Sequence, residues 1–124
     1  MRDSRYAWAS IETGERMTER RSRRSQKLPE ALRLYFAAVR QRTGLTALAL
    51  TTDSGEFVAG SGEVDLEWMG SLGASRRART LEWNDLTLHV MRLDENGVTM
   101  VLTSAGSLPP DEAVIEGIKR IMRE

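Results

Sequence analysis

Asn96-Gly97 stands between two apolar, strand-like runs, and no other feature constrains the fold of this chain as strongly. An Asn-Gly pair accepts positive φ at both central positions of a tight turn, so the flanking segments fold back on one another. Before the turn, Leu86, Leu88 and Val90 alternate with Thr87, His89 and Met91, and residues 98–103 follow it with few charges. A period of two argues for strands, with Asp94-Glu95-Asn96-Gly97 as the turn. A second hairpin is signalled by Asp53-Ser54-Gly55, which separates residues 45–52 from residues 56–59 and offers glycine where φ must be positive. Gly60-Ser61-Gly62 is expected to break the returning strand. Two hairpins make any sheet largely antiparallel.

The segments between the hairpins change period. Leu28, Leu32, Tyr35, Phe36 and Val39 recur at helical spacing. Pro29 suits a first helical turn and Gly44 a stop, which predicts a helix over 29–43. Val64, Trp68 and Leu72 form a second stripe, with Met69 beside it, over residues 63–78. Gly70 and Gly73 each weaken that helix by up to about 1 kcal/mol, or let another helix approach closely. Arg76, Arg77 and Arg79 crowd its end, where cations favour the helix dipole. Residues 81–83 suggest a short strand ended by Asn84-Asp85. Pro109 and Pro110 close a connection. Asp111 and Glu112 then open a last helix with Val114, Ile115, Ile118, Ile121 and Met122 on one side. The expected fold is α+β, order α-β-β-α-β-β-β-α, with about five antiparallel strands and helices on the faces of the sheet.

At 124 residues the chain holds one domain, expected over 28–124, preceded by a basic segment, 1–27. The zero net charge hides this division. Residues 1–27 carry eight basic and four acidic groups, and the remainder carries ten and fourteen. With few apolar residues and no sustained period, 1–27 is expected to be a flexible tail, and Met17 is an alternative start. Arg20, Arg21, Arg23 and Arg24 make it a candidate contact for polyanions, nucleic acid or anionic membrane; the plainer reading is a solvated basic tail.

Residue types exclude several chemistries. Without cysteine there is no disulfide, thiol nucleophile or cysteine-ligated metal, and a reducing cytoplasm is the simplest compartment. The single histidine, His89, leaves nothing for histidine-cluster metal sites, and a satisfied or exposed strand histidine is the plain alternative to a pH sensor. No apolar run approaches the roughly 18 residues of a membrane helix. Gly60-Ser61-Gly62 lacks the spaced Gly-Lys-Ser/Thr of a phosphate loop. Asp65, Glu67, Glu82 and Asp85 lie close in sequence, yet nothing in the pattern encloses them for acid–base work. No catalytic, cofactor-binding or metal-ligating residue is expected, and no cofactor.

Residues 28–124 resemble the Roadblock family of dynein light-chain-like proteins. The resemblance is carried by residues 39–60: an amphipathic helix into Thr43-Gly44-Leu45, an apolar strand, then Asp53-Ser54-Gly55 and the strand through Phe57 and Val58. It implies two helices on one face of a five-stranded antiparallel sheet and the central helix on the other. It also implies a homodimer joined through the central helix and the third strand, with Trp68, Met69, Leu72, Leu81 and Trp83 at the interface. Alternatively Trp68 and Trp83 complete the monomer core. Family members bind or regulate small Ras-like GTPases, some bacterial ones as activating partners in polarity and motility, and none needs a cofactor. Arg76, Arg77 and Arg79 are candidate partner contacts, and by position alone candidates for an arginine finger. Two other readings remain: a GAF-like or profilin-like small-ligand sensing module, and a tether to nucleic acid or anionic membrane through the basic tail.

Overall fold

The computed structural model describes the backbone of residues 15–124 and the side chains of residues 27–124. Eight elements follow in the expected order: α1 (Glu15–Thr43), β1 (Ala47–Thr52), β2 (Phe57–Gly62), α2 (Leu66–Ser75), β3 (Thr80–Trp83), β4 (Leu86–Glu95), β5 (Val98–Ala105) and α3 (Glu112–Arg123). All four strand pairings are antiparallel, and the spatial order is β2-β1-β5-β4-β3. The central strand β5 pairs with β1 on one side and β4 on the other, while β2 and β3 form the two edges.

Alternation in the strands divides the core in two. Leu48, Leu50, Leu93 and Leu102 face one side, where Leu32, Phe36 and Val39 of α1 and Val114 and Ile118 of α3 cover them. Ala47, Ala49, Leu88 and Ala105 face the other side, under Met69 of α2. The sheet is thus a layer between a helix pair and a single helix.

The turns follow from residue type. Asn96 (φ 53) and Gly97 (φ 77) form a two-residue turn with positive φ throughout, and Glu95 pairs directly with Val98. The strands therefore run closer to the turn than expected, and Asp94 and Glu95 belong to β4. Asn84 (φ 48) and Asp85 (φ 62) repeat the device between β3 and β4, making a third hairpin where the sequence suggested only a strand end.

Three boundaries differ from expectation. First, α1 begins at Glu15 and not near residue 29, so Pro29 lies inside the helix and the backbone of residues 15–27 is helical. This stretch has no apolar period, but arginine, glutamate, glutamine, methionine and lysine dominate it, and these are strong helix formers. Residues 1–14 lie outside the described residues, as do the side chains of Arg20, Arg21, Arg23 and Arg24. Second, β2 continues through Gly60-Ser61-Gly62. A Cβ on Gly60 would lie 2.7 Å from the Leu48 carbonyl oxygen, so glycine here permits close strand pairing and does not break it. Third, α2 is shorter than 63–78. Asp65 caps its start, accepting from the Trp68 backbone N–H at 3.1 Å, and the chain turns extended at Arg76. Asp65→Ala is expected to lower folding stability by about 1 kcal/mol, read as a shift in urea midpoint at unchanged slope.

Gly70 and Gly73 settle their two readings through the sheet. They are buried against it, with Thr51 and Thr103 where their Cβ atoms would stand, so the close approach is helix to sheet and not helix to helix. Of Arg76, Arg77 and Arg79 only Arg76 stands at the end of α2, as its C-cap, and the last turn itself holds no basic residue. The cation comes instead from β4, where the Arg92 guanidinium donates to the Ala74 carbonyl at 3.1 Å and lies 3.7 Å from Asp53.

Candidate functional site

Two surfaces carry the residues singled out from the sequence, one on each side of the sheet. The first is the α2 side. Trp68 is 57% exposed on α2, and Phe57, 39% exposed, opens β2 beside it. Together with Gly55, Asp65, Glu67 and Ser71 they line a shallow groove of about 340 Å³. Trp83, Leu81 and Leu72 are half-buried, packed against the cluster around Met69. Met69 itself is fully buried and offers no surface to a partner, which corrects its expected place in an interface. Trp83 and Leu81 sit on β3, a four-residue edge strand whose outer side pairs with nothing among the described residues. An open edge next to half-buried apolar residues is a surface that a further strand can extend.

The second surface lies across the sheet, where α3 covers β4 but β3 is left uncovered. A groove of about 920 Å³ runs there, open to solvent. Arg77 and Arg79, from the connection between α2 and β3, line it with Lys119 and Glu112 of α3, and Met91 and Ile115 contribute apolar surface. His89 also lines it; its Nε2 is 3.1 Å from the Gly106 carbonyl oxygen, which makes that nitrogen the protonated one in the neutral ring. Arg76 is exposed nearby but does not line the groove. The sequence marked Arg77 and Arg79, and missed Lys119, Met91 and Phe57. A strand-period reading places Met91 on the His89 face, but no local pattern shows how far α3 covers that face.

The four carboxylates do not form a working pair. Asp65 is committed to its helix cap, and Glu67 is exposed beside it. Glu82 faces the opposite side of the sheet from Trp83 and accepts from the Thr87 hydroxyl at 3.2 Å. Asp85 occupies the β3–β4 turn. Among the described residues no group of three or more His, Asp or Glu side chains is placed to hold a metal ion. The ionisable pair with shifted values lies elsewhere, on the exposed face of α1. There the hydrogen bond between Arg33 and Glu30, 2.6 Å, holds the Glu30 carboxyl below its usual range and raises the Arg33 guanidinium. Fully exposed, that pair contributes little to stability. Among the described residues no helix is long and apolar enough to cross a membrane.

No protein-family model matches the sequence, and no curated protein matches it.

Proposed function

We propose that this chain is a homodimeric, non-enzymatic regulator or scaffold, cytoplasmic, that binds a small Ras-like GTPase in bacterial signalling, polarity or motility. One observation carries the reading: the short β3 leaves the sheet edge open next to α2, with Trp68 exposed and Leu81 and Trp83 only half covered. Edge-to-edge pairing of two copies would bury this apolar strip and remove the unpaired edge. The order of elements and the single helix on one face agree with what the Roadblock resemblance implies. The reading assigns regulation to surface complementarity: a dimer that binds one switch state of the GTPase better than the other shifts its population. The larger groove is open, whereas a small-ligand sensing module calls for an enclosed pocket, so the ligand-sensing alternative gains less support.

The test begins with the solution mass of the full chain by light scattering. The expected result is a dimer, with Trp68→Glu and Trp83→Glu each shifting it toward monomer while circular dichroism stays unchanged for Trp68→Glu. GTP hydrolysis by Ras-like GTPases of the same genome is then measured with and without the protein. A monomer at all accessible concentrations would refute the dimer, and unchanged binding and hydrolysis across those GTPases would refute the partner.

A further inference from the structure

We infer that the groove between α3 and the β3–β4 hairpin is a docking site for an acidic amphipathic protein segment, one that presents apolar residues flanked by carboxylates. Three observations carry this. The groove has a mixed lining: Met91, Ile115 and Pro109 supply apolar surface, while Arg77, Arg79 and Lys119 supply cations. Its charge is one-sided, because Glu112 is the single carboxylate in the lining. Arg92, the remaining cation, is already engaged with Asp53 and the end of α2. Arg77, Arg79 and Lys119 make no ion pair among the described residues, so their charge is available to a partner.

Size and shape select the occupant. The groove, about 920 Å³, is large enough for a small ligand but stays open to solvent, whereas small-molecule sites generally bury most of the ligand's surface. A helix laid along it with one apolar face matches both parts of the lining. The cations set orientation and speed of encounter, and the apolar floor supplies the residence time. The site lies across the sheet from α2 and shares only Thr80, the first residue of β3, with the edge strand of the dimer proposed above. A monomeric protein would test it equally well.

The probe is a fluorescently labelled peptide of about twelve residues with leucine and glutamate at helical spacing. It is titrated with the full chain at low and high salt, and backbone amide NMR shifts locate the contact. The expected result is saturable binding that weakens with salt, with shifts concentrated at Met91, Ile115 and Lys119. The doubly reversed variant Arg77→Glu/Lys119→Glu is expected to bind about tenfold more weakly or less, with an unchanged circular dichroism spectrum. Leu34→Ala, at an exposed position of α1 outside both surfaces, is expected to bind as the parent does. A peptide with serine for leucine should lose binding, and one with lysine for glutamate should not bind.

Three outcomes would overturn the proposal. One is no saturable binding at millimolar peptide. Another is equal binding by the serine peptide, which would reduce the effect to unspecific charge attraction. The third is retention by phosphatidylserine vesicles through the same cations without peptide binding, which would make a lipid surface the occupant.

Discussion

Phe36→Ala is expected to lower folding stability by about 3–5 kcal/mol. Phe36 is fully buried and is the largest such side chain among the described residues. It sits in the cluster that joins α1 to Leu48, Leu50 and Leu102 of the sheet and to Val114 and Ile118 of α3. Removing the ring deletes apolar contact and leaves a void bounded by two paired strands on one side and a second helix on the other. Such walls collapse poorly, which adds the cavity cost to the transfer cost. A small domain holds only about 5–15 kcal/mol in total, so the variant should be near its unfolding limit at moderate temperature. Leu34→Ala is the internal control. It lies on the same helix but is 56% exposed, and its effect should stay within about 0.5 kcal/mol. Urea unfolding followed by circular dichroism measures both. Equal midpoints for the two variants would mean that α1 does not seat on the sheet through Phe36.

The second large effect concerns the other face. Gly73→Ala is expected to lower stability by about 1–3 kcal/mol, although alanine is the better helix former by about 1 kcal/mol. The sign is decided by contact. An alanine Cβ at residue 73 would meet the Thr103 hydroxyl and lie 3.0 Å from the Thr103 Cβ and 3.1 Å from its Cγ2. Thr103 belongs to the central strand β5 and cannot retreat without disturbing its pairing with β1 and β4. α2 must therefore lift, loosening Met69 and the half-buried Leu72 and Trp83. The double variant Gly73→Ala/Thr103→Ala should recover part of the loss, because it removes the Thr103 Cγ2 and a buried hydroxyl with no partner among the described residues, while the 3.0 Å Cβ–Cβ contact remains. A gain in stability from Gly73→Ala alone would show that helix propensity wins and that α2 stands further from the sheet. The effect also bears on function. In the dimer proposed above the same seat positions Trp68 and the β3 edge, so the variant is expected to weaken that pairing together with stability.

These two residues illustrate how far the chain can be read in advance. Phe36 was legible: it falls on a stripe of period 3.6 with Leu32 and Val39, and such a stripe has to face a core. The Asn96-Gly97 turn was equally legible, because positive φ at two successive positions is a local requirement that few residue pairs meet. Gly73 was legible only as an ambiguity. Its cost to the helix is local, whereas its benefit depends on Thr103, thirty positions away in the chain and adjacent only in the folded sheet. The Gly60-Ser61-Gly62 segment misled for the same reason, since its glycines answer to the Leu48 carbonyl and to Ala47 on the neighbouring strand. The start of α1 misled differently. Residues 15–27 lack an apolar stripe, yet their intrinsic propensity suffices to continue the helix past Pro29.

The candidate surfaces divide along the same line. Trp68 and the arginines of the α2–β3 connection stand out by residue type alone. That Met69 turns inward while Trp68 turns out follows from a rotation of one residue on a helix, read against a sheet whose position the sequence does not state. The groove required even more of the fold: Arg77, Met91 and Lys119 come from a connection, a strand and a helix, and meet only because α3 stops short of β3. Element types, turns, hairpins and the two apolar stripes are local properties, set by backbone sterics and by periodicity, and they were present in the linear chain. Which faces stay uncovered, which glycines are contacts, and which charges converge are properties of packing. They depend on distances between residues far apart in sequence, and only the folded arrangement sets those distances.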